Sequence, residues 1–539
     1  MRISLIILVL LILIAANGVC AQAASPDSLC GHKVLLDENQ KILPWPAGVR
    51  NPYDHFLHLR WNFVLNKAPK SPGPAPRSSY PQYYFYCAWR DSSGQMLPDH
   101  WMNDVGERIP NWFESALLYY GYSGLSQPMN IVKGLADYSL LHGLSPSSYN
   151  WPRFPQTAAD AGMLEFRGFA SAKRFSLDDV QVDHAGDMGL TFYKLYLFYG
   201  DTKYKRAAID VANVLVKKLR RGDSTHSPWP YVVNMKTGRI SSEYGTNWFG
   251  CIRLFDLLIE GSEGNVNEYA KTRAIVLKWI WDFPVQNGHW VDGHTDTKIK
   301  GTDNLSNLSA SNAGLYIASY LSDDAHWYDR LPRLIKWTEE NFVNKTAPGD
   351  PSSFSGANIV SEQVAFMPKM DYQTARYAAQ CAEWYARSAD TTYREKAFRS
   401  LNFVTYCNDE NGKAIESPFS KGVNSWWSDS YGEGPRMFYH VFASNPEWAP
   451  AGEDHLLFST AVVRNVIYSD HKVVYSAAEK NGNEYLRLSF QPTTITLNNV
   501  PVNLNSRDGK LNYTVRPLGN GDYYLKIRRK REGTVTITQ

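Results

Sequence analysis

Six stretches of the chain concentrate carboxylates, histidines and aromatic side chains within a few residues of one another. The first runs through Asp99, His100, Trp101, Asp104 and Glu107, and the second holds Glu165, Arg167, Asp183, His184 and Asp187. The third carries Glu243, Tyr244, Asn247 and Trp248, and the fourth His289, Trp290, Asp292, His294 and Asp296. Glu362, Asp371 and Tyr372 form the fifth; Trp426, Trp427, Asp429, Tyr431, Glu433 and Arg436 form the sixth. Such sets suit two chemistries. A carboxylic acid can protonate a leaving oxygen while a carboxylate activates water or attacks the carbon. Alternatively, a tyrosine and a histidine can exchange a proton beside a carboxylate that an arginine neutralises.

For the first chemistry the catalytic candidates are Asp183, Glu243 and Asp429, because each opens or precedes a different apolar helical stretch. Glu243 or Asp429 is assigned as acid and Asp183 as base. Candidate substrate-binding residues are His184, Tyr244, Trp248, Arg167, Trp426, Trp427, Tyr431 and Arg436. For the second, Tyr244 or Tyr431 with His184 would exchange the proton, and Arg167 or Arg436 would supply the counter-charge. Single residues carry little weight. An aspartate ahead of a helix, such as Asp187, Asp371 or Asp429, is also a common N-cap. One tryptophan more often packs than binds. His289, Asp292, His294 and Asp296 lack a recognised metal-ligand spacing, so neither metal nor cofactor is assigned. The weight lies in six stretches converging.

Convergence has to come from the elements between them. Tight turns recur about every 60–80 residues, longer than the repeat of common helical solenoids: Gly121–Gly124, Tyr199–Asp201, Glu260–Ser262, Leu321–Asp324 and Arg387–Asp390. Each lies between two helix-like stretches. Leu190 to Phe198 is apolar almost all round, the mark of a buried helix. After the turn, Tyr204, Ala207, Ala208, Val211, Leu215 and Leu219 make a stripe, with Lys205, Lys217 and Lys218 off it, the mark of an outer helix. Leu331, Leu334, Ile335 and Phe342 repeat the stripe, as do Tyr393, Ala397 and Leu401. Five hairpins, one helix around Tyr53–Leu65 and one around Pro435–Phe442 make twelve helices. The predicted fold class is mainly α, a closed (α/α)6 toroid over residues 51–450, with an open superhelix as the competing architecture. Connections between hairpins are long and all emerge on one face, at the central opening; loops of that length are usually functional.

From Val462 onward short β-rich runs replace the helices, with turn signals at Asn481–Gly482–Asn483 and Gly519–Asp522. A small antiparallel β domain is expected over 451–539.

Composition fits a folded globular protein. The 539 residues carry a formal charge of +3 and 14% aromatics, with no polybasic tract for nucleic acid. Met1–Arg2, the apolar run Ile3–Ala16 and Val19–Cys20–Ala21 read as a signal peptide over 1–21, followed by an extension over 22–50. Secretion or a periplasmic location follows, with a lipoprotein anchored on Cys20 as the less favoured alternative. No second apolar run spans a bilayer. Cys30, Cys87, Cys251, Cys381 and Cys407 are too scattered for a disulfide framework and read chiefly as buried small hydrophobes.

With this architecture and the loop segments Val182–Gly189, Glu243–Asn247 and Trp426–Gly434, the sequence resembles the six-hairpin glycosidase superfamily over about residues 50–445. That resemblance implies a secreted toroid enzyme acting on a polysaccharide or oligosaccharide. Glycoside hydrolysis is the first expectation, uronate-polymer lysis the second and non-catalytic glycan binding the third. Fold alone does not choose among them.

Overall fold

The computed structural model describes residues 27–46, 48–68, 88–92, 95–98, 104–158, 166, 176–291, 303–321, 326–419, 425–427, 429–502 and 511–539. The signal-peptide segment, Cys20, Cys87, Arg167, Asp292, His294 and Asp296 lie outside these residues.

Twelve helices of more than one turn form the body. They are α1 Pro52–Asn62, α2 Val105–Ser123, α3 Gln127–His142, α4 Val182–Tyr199, α5 Thr202–Lys218 and α6 Phe249–Gly261. They continue as α7 Val266–Asp282, α8 Asn307–Tyr320, α9 Trp327–Thr338, α10 Asp371–Ser388, α11 Thr391–Thr405 and α12 Glu433–Ser444. The even-numbered helices are the inner ones. Each packs on the next, and α12 packs back on α2, so the ring is closed and the open superhelix is excluded. The sixth hairpin is shared between the chain's two ends, with α1 outside α12.

The turns are tight for local reasons. Gly200 ends α4 at φ 77°, and the next residue, Asp201, caps α5 by accepting from Lys203 N at 3.0 Å. Ala389 and Asp390 repeat the device between α10 and α11. The stripe on α5 is buried from Tyr204 to Leu215. Among the described cysteines, Cys251, Cys381 and Cys407 are buried.

Past α12 the chain makes two antiparallel sheets. One has the spatial order His455–Ser459, Asn481–Leu488, Tyr523–Lys530, Leu511–Pro517. The other follows Val463–Ser469, Lys472–Ala477, Gly533–Thr538, Thr494–Leu497, Val500–Pro501. Asn481–Gly482–Asn483 corrects the sequence reading. It is strand, pairing with Lys530, Arg529 and Arg528, and the glycine there leaves room for the Glu484 and Arg529 side chains rather than making a turn. Gly519–Asp522 is the expected turn, closed by Leu518 N donating to Asp522 O at 2.9 Å.

The sheets pack on the tight-turn end of the ring. Leu456 fills the space beside Gly121, Arg464 Nη1 donates to Leu197 O at 3.2 Å, and Asn481 N donates to Glu260 at 2.7 Å. The long connections therefore own the other end. Among the described residues no helix is long and apolar enough to cross a membrane.

Candidate active site

The ring encloses a chamber of about 170 Å³. Phe458, Ser459, Thr460 and Ala461 of the β region close its floor. Its walls are the inner helices, and their first turns set the chemistry at its mouth.

One wall is acidic. Asp104 caps α2 by accepting from Glu107 N at 3.3 Å, which places both carboxylates at the mouth. The first turn of α4 brings Asp183 and His184, and the next brings Asp187. His184 is 2% exposed; its Nδ1 is 3.3 Å from Asp104 Oδ1 and its Nε2 4.0 Å from Asp183 Oδ2. Asp183 Oδ1 also accepts from His184 N at 2.9 Å. Burial alone would depress the imidazole pKa. The carboxylates of Asp104 and Asp183 outweigh it and hold the pKa well above the usual 6.5. Burial likewise pushes Asp104 up, but His184 and Arg108 bring it below the ordinary value. At neutral pH this is a charged pair. Ligand atoms of Asp104, Glu107 and His184 lie within 4.8 Å of one another, close enough to hold a cation. A doubly protonated imidazole has no lone pair to offer one.

The facing wall is basic. Arg376 of α10 donates from Nη1 to Asn312 Oδ1 at 2.6 Å, and Asn312 donates to Asn247 at 2.9 Å. Arg376 Nη2 bonds Glu433, whose other oxygen accepts from Arg436 Nη2 at 2.9 Å. Deeper in the chamber, on the α4–α6 side, Lys194 pairs with Glu114, while Arg253 pairs with Asp256 at 3.2 Å and stacks 3.5 Å over Tyr320. Burial works against the Lys194 charge, and Glu114 overcomes it, raising the amine's pKa.

Asp371 sits at the start of α10, behind the mouth. Burial pushes its carboxyl up to about 6, against the lowering effect of Arg60 at 3.1 Å and Ser430 Oγ at 3.0 Å. It is the first helical residue rather than the cap, which is Met370. Its neighbour Tyr372 donates to Glu362 at 2.7 Å.

Of the residues singled out from sequence, His184 and Arg436 line the chamber, and Asp183 buttresses His184 from behind. Glu243 is elsewhere. Its carboxylate, 43% exposed, pairs with Arg220 at 2.6 Å beyond the end of α5 and is not among the chamber's lining residues. Trp248 is fully buried, meets Trp229 edge to face and donates from its indole nitrogen to Gly245 O at 2.9 Å. Tyr244 is buried against Trp279, and Tyr431 packs on Phe63 and Trp112. These three aromatics are placed as packing residues, with no ring face left for a sugar. Trp426 and Trp427 lie on a strand paired with Ala88–Arg90, and Asp429 starts a short 3-10 turn before α12; their side chains lie outside the description.

Sequence reasoning passed over Glu114, Lys194, Arg253, Asn312 and Arg376. A signal was present. Lys194 is the lone charge in the otherwise apolar stretch Leu190–Phe198, and a buried lone charge requires a partner.

The closed ring of six helical hairpins around a central chamber recurs in solved structures of low sequence identity. The sequence matches no protein-family model and no curated protein. Among solved structures, cellobiose 2-epimerase from Spirochaeta thermophila DSM 6192 superposes with a TM-score of 0.50 at 9% identity, covering 73% of this chain and 97% of that one. Cellobiose 2-epimerase from Bacillus thermoamylovorans B4167 gives 0.50 at 11% identity, covering 71% and 96%. Glucoamylase from Hypocrea jecorina gives 0.44 at 13% identity, covering 74% and 73%.

Proposed function

We propose that the protein is a carbohydrate-processing enzyme working in this chamber, and that it hydrolyses glycosidic bonds. The acidic wall carries the proposal: two chamber-lining carboxylates, Glu107 and Asp187, flank a charged imidazole, His184. Hydrolysis needs one group to protonate the leaving oxygen and one carboxylate to activate water or attack the anomeric carbon. Glu107 and Asp187 take these two roles, with Asp429, in the turn before α12, as a third candidate. Asp183 and Asp104 fix the imidazole and keep it charged beside them. The reading of residues 1–21 as a signal peptide puts the reaction outside the cytoplasm.

The test is a panel of uronate-containing and neutral oligosaccharides, scored for new reducing ends. Glu107→Gln and Asp187→Asn should each lose about 10²–10⁴-fold in turnover, the usual worth of a general acid or base. Unchanged turnover in both variants would remove the acidic wall from the chemistry.

A second reading is epimerisation or isomerisation of a sugar. It is favoured by the cellobiose 2-epimerase matches together with a histidine on the chamber wall. It predicts a rearranged sugar with its linkage intact and no new reducing end. Lysis would instead give an unsaturated product that absorbs ultraviolet light.

A further inference from the structure

The basic wall has a property that cleavage chemistry does not need. Elsewhere in the chamber Lys194, on α4, is answered by Glu114, while Arg253 and Arg273 share Asp256 in a partly exposed cluster. Arg376 and Arg436 also share one carboxylate, that of Glu433, but Arg376 and Glu433 are fully buried. Arg376 is completely buried, and its Nε has no hydrogen-bond partner among the described residues. The same holds for Arg436 Nε and for the buried hydroxyl of Ser319, which also lines the chamber. Burial and the neighbouring Arg436 both work against the charge on Arg376, and Glu433 offsets them only in part. Buried charge without full compensation is costly unless another anion supplies it.

We propose that the chamber takes a saccharide bearing an anionic oxygen group, a ring carboxylate or a sulfate, seated at Arg376 and Arg436. This rests on the carbohydrate reading above and names its substrate class. Guanidinium forks match oxyanions in two-point contacts that an ammonium cannot reproduce. Glu433 already demonstrates that a carboxylate fits between the two arginines. The opposite wall supplies orientation. Glu107 and Asp187 repel an anion, so the charged substituent turns to the basic wall and the neutral part of the ring to the acidic one.

The test uses the full chain at fixed ionic strength, titrated with glucuronate, glucose 6-sulfate, glucose and inorganic sulfate. At least one of the two anionic sugars should bind tenfold or more tightly than glucose, and the tighter one identifies the group. Arg436→Gln, at a partly exposed position, should erase that preference. Equal binding of glucose and both anionic sugars, or a preference that survives in Arg436→Gln, overturns the proposal. So does inorganic sulfate binding as tightly as the anionic sugars, which marks a plain anion site. Equal turnover of neutral and uronate-bearing oligosaccharides would sink this inference and leave the hydrolase reading standing. Selective binding of the anionic sugar with no turnover of any saccharide would do the reverse.

Discussion

The two walls of the chamber solve the same problem in opposite ways. Each holds charge away from bulk water, where an unpaired ion is costly. On the acidic wall one imidazolium, His184, sits among the carboxylates of Asp104, Asp183 and Glu107. On the basic wall one carboxylate, Glu433, sits between two guanidiniums. The first arrangement leaves negative charge over, suited to moving protons. The second leaves positive charge over, suited to holding an anion. The cross-ring arrangement follows from the fold: α4 and α10 stand three positions apart in a ring of six, so their first turns face each other.

The contrast breaks most visibly at Glu433. Replacing it with Gln leaves two guanidiniums, one of them fully buried, without their shared counter-charge. Loss of one partner from a buried pair costs about 3–5 kcal/mol, so Glu433→Gln should melt well below the wild type. If the wall is an anion seat, glucuronate or sulfate should restore part of the lost melting temperature in this variant. A variant as stable as the wild type would show that the two arginines do not depend on Glu433.

A smaller effect is expected on the acidic wall, and pH exposes it. The folded pKa of His184 is raised, so its pairing stabilises fully below the ordinary 6.5 and is lost as pH rises through the folded value. The folded pKa of Asp104 is lowered, so its share is present above the ordinary 3.8 and is lost as pH falls through the folded value. His184→Asn should therefore cost about 1.5–3 kcal/mol, the range for hydrogen bonds to charged groups. The gap to wild type should be widest between 3.8 and 6.5 and should narrow on the alkaline side. A gap independent of pH from 5 to 10 would mean that folding leaves the imidazole pKa where it is in the unfolded chain, with no net gain from the carboxylates.

Much of the frame was legible before any coordinates. Hydrophobic period separates the buried α4 from the striped α5, and Gly200–Asp201 ends one helix and caps the next without reference to distant residues. Counting hairpins made a closed ring the first expectation, and the packing of α12 on α2 decides it against an open superhelix. The chamber's buried ion pairs were not legible, because their meaning is non-local. Lys194 finds Glu114 80 residues away, and Arg376 finds Glu433 57 residues away. In sequence Lys194 reads as an interruption of an apolar stretch, and Arg376 as one of several charges on a mixed helix. Aromatic residues misled for the opposite reason. Trp248 and Tyr244 sit in a connecting segment, where they look available, but the segment folds its rings back into the core.

Glu243 supplies the smallest effect and the sharpest control. By residue type and position it is as good a sequence candidate as Asp183. Its pairing with Arg220 joins partners that are 43% and 29% exposed, the kind of ion pair that contributes about 0–1 kcal/mol. It belongs to neither wall. Glu243→Gln should therefore shift the melting temperature little and leave turnover within about twofold of wild type, a change of roughly 0.4 kcal/mol in the barrier. The same isosteric change at Glu107 should cost orders of magnitude. If Glu243→Gln instead abolished turnover while Glu107→Gln did not, the chemistry would lie outside the chamber, at the Arg220 side of the mouth. The division into an acidic and a basic wall would then describe only how the ring is held together.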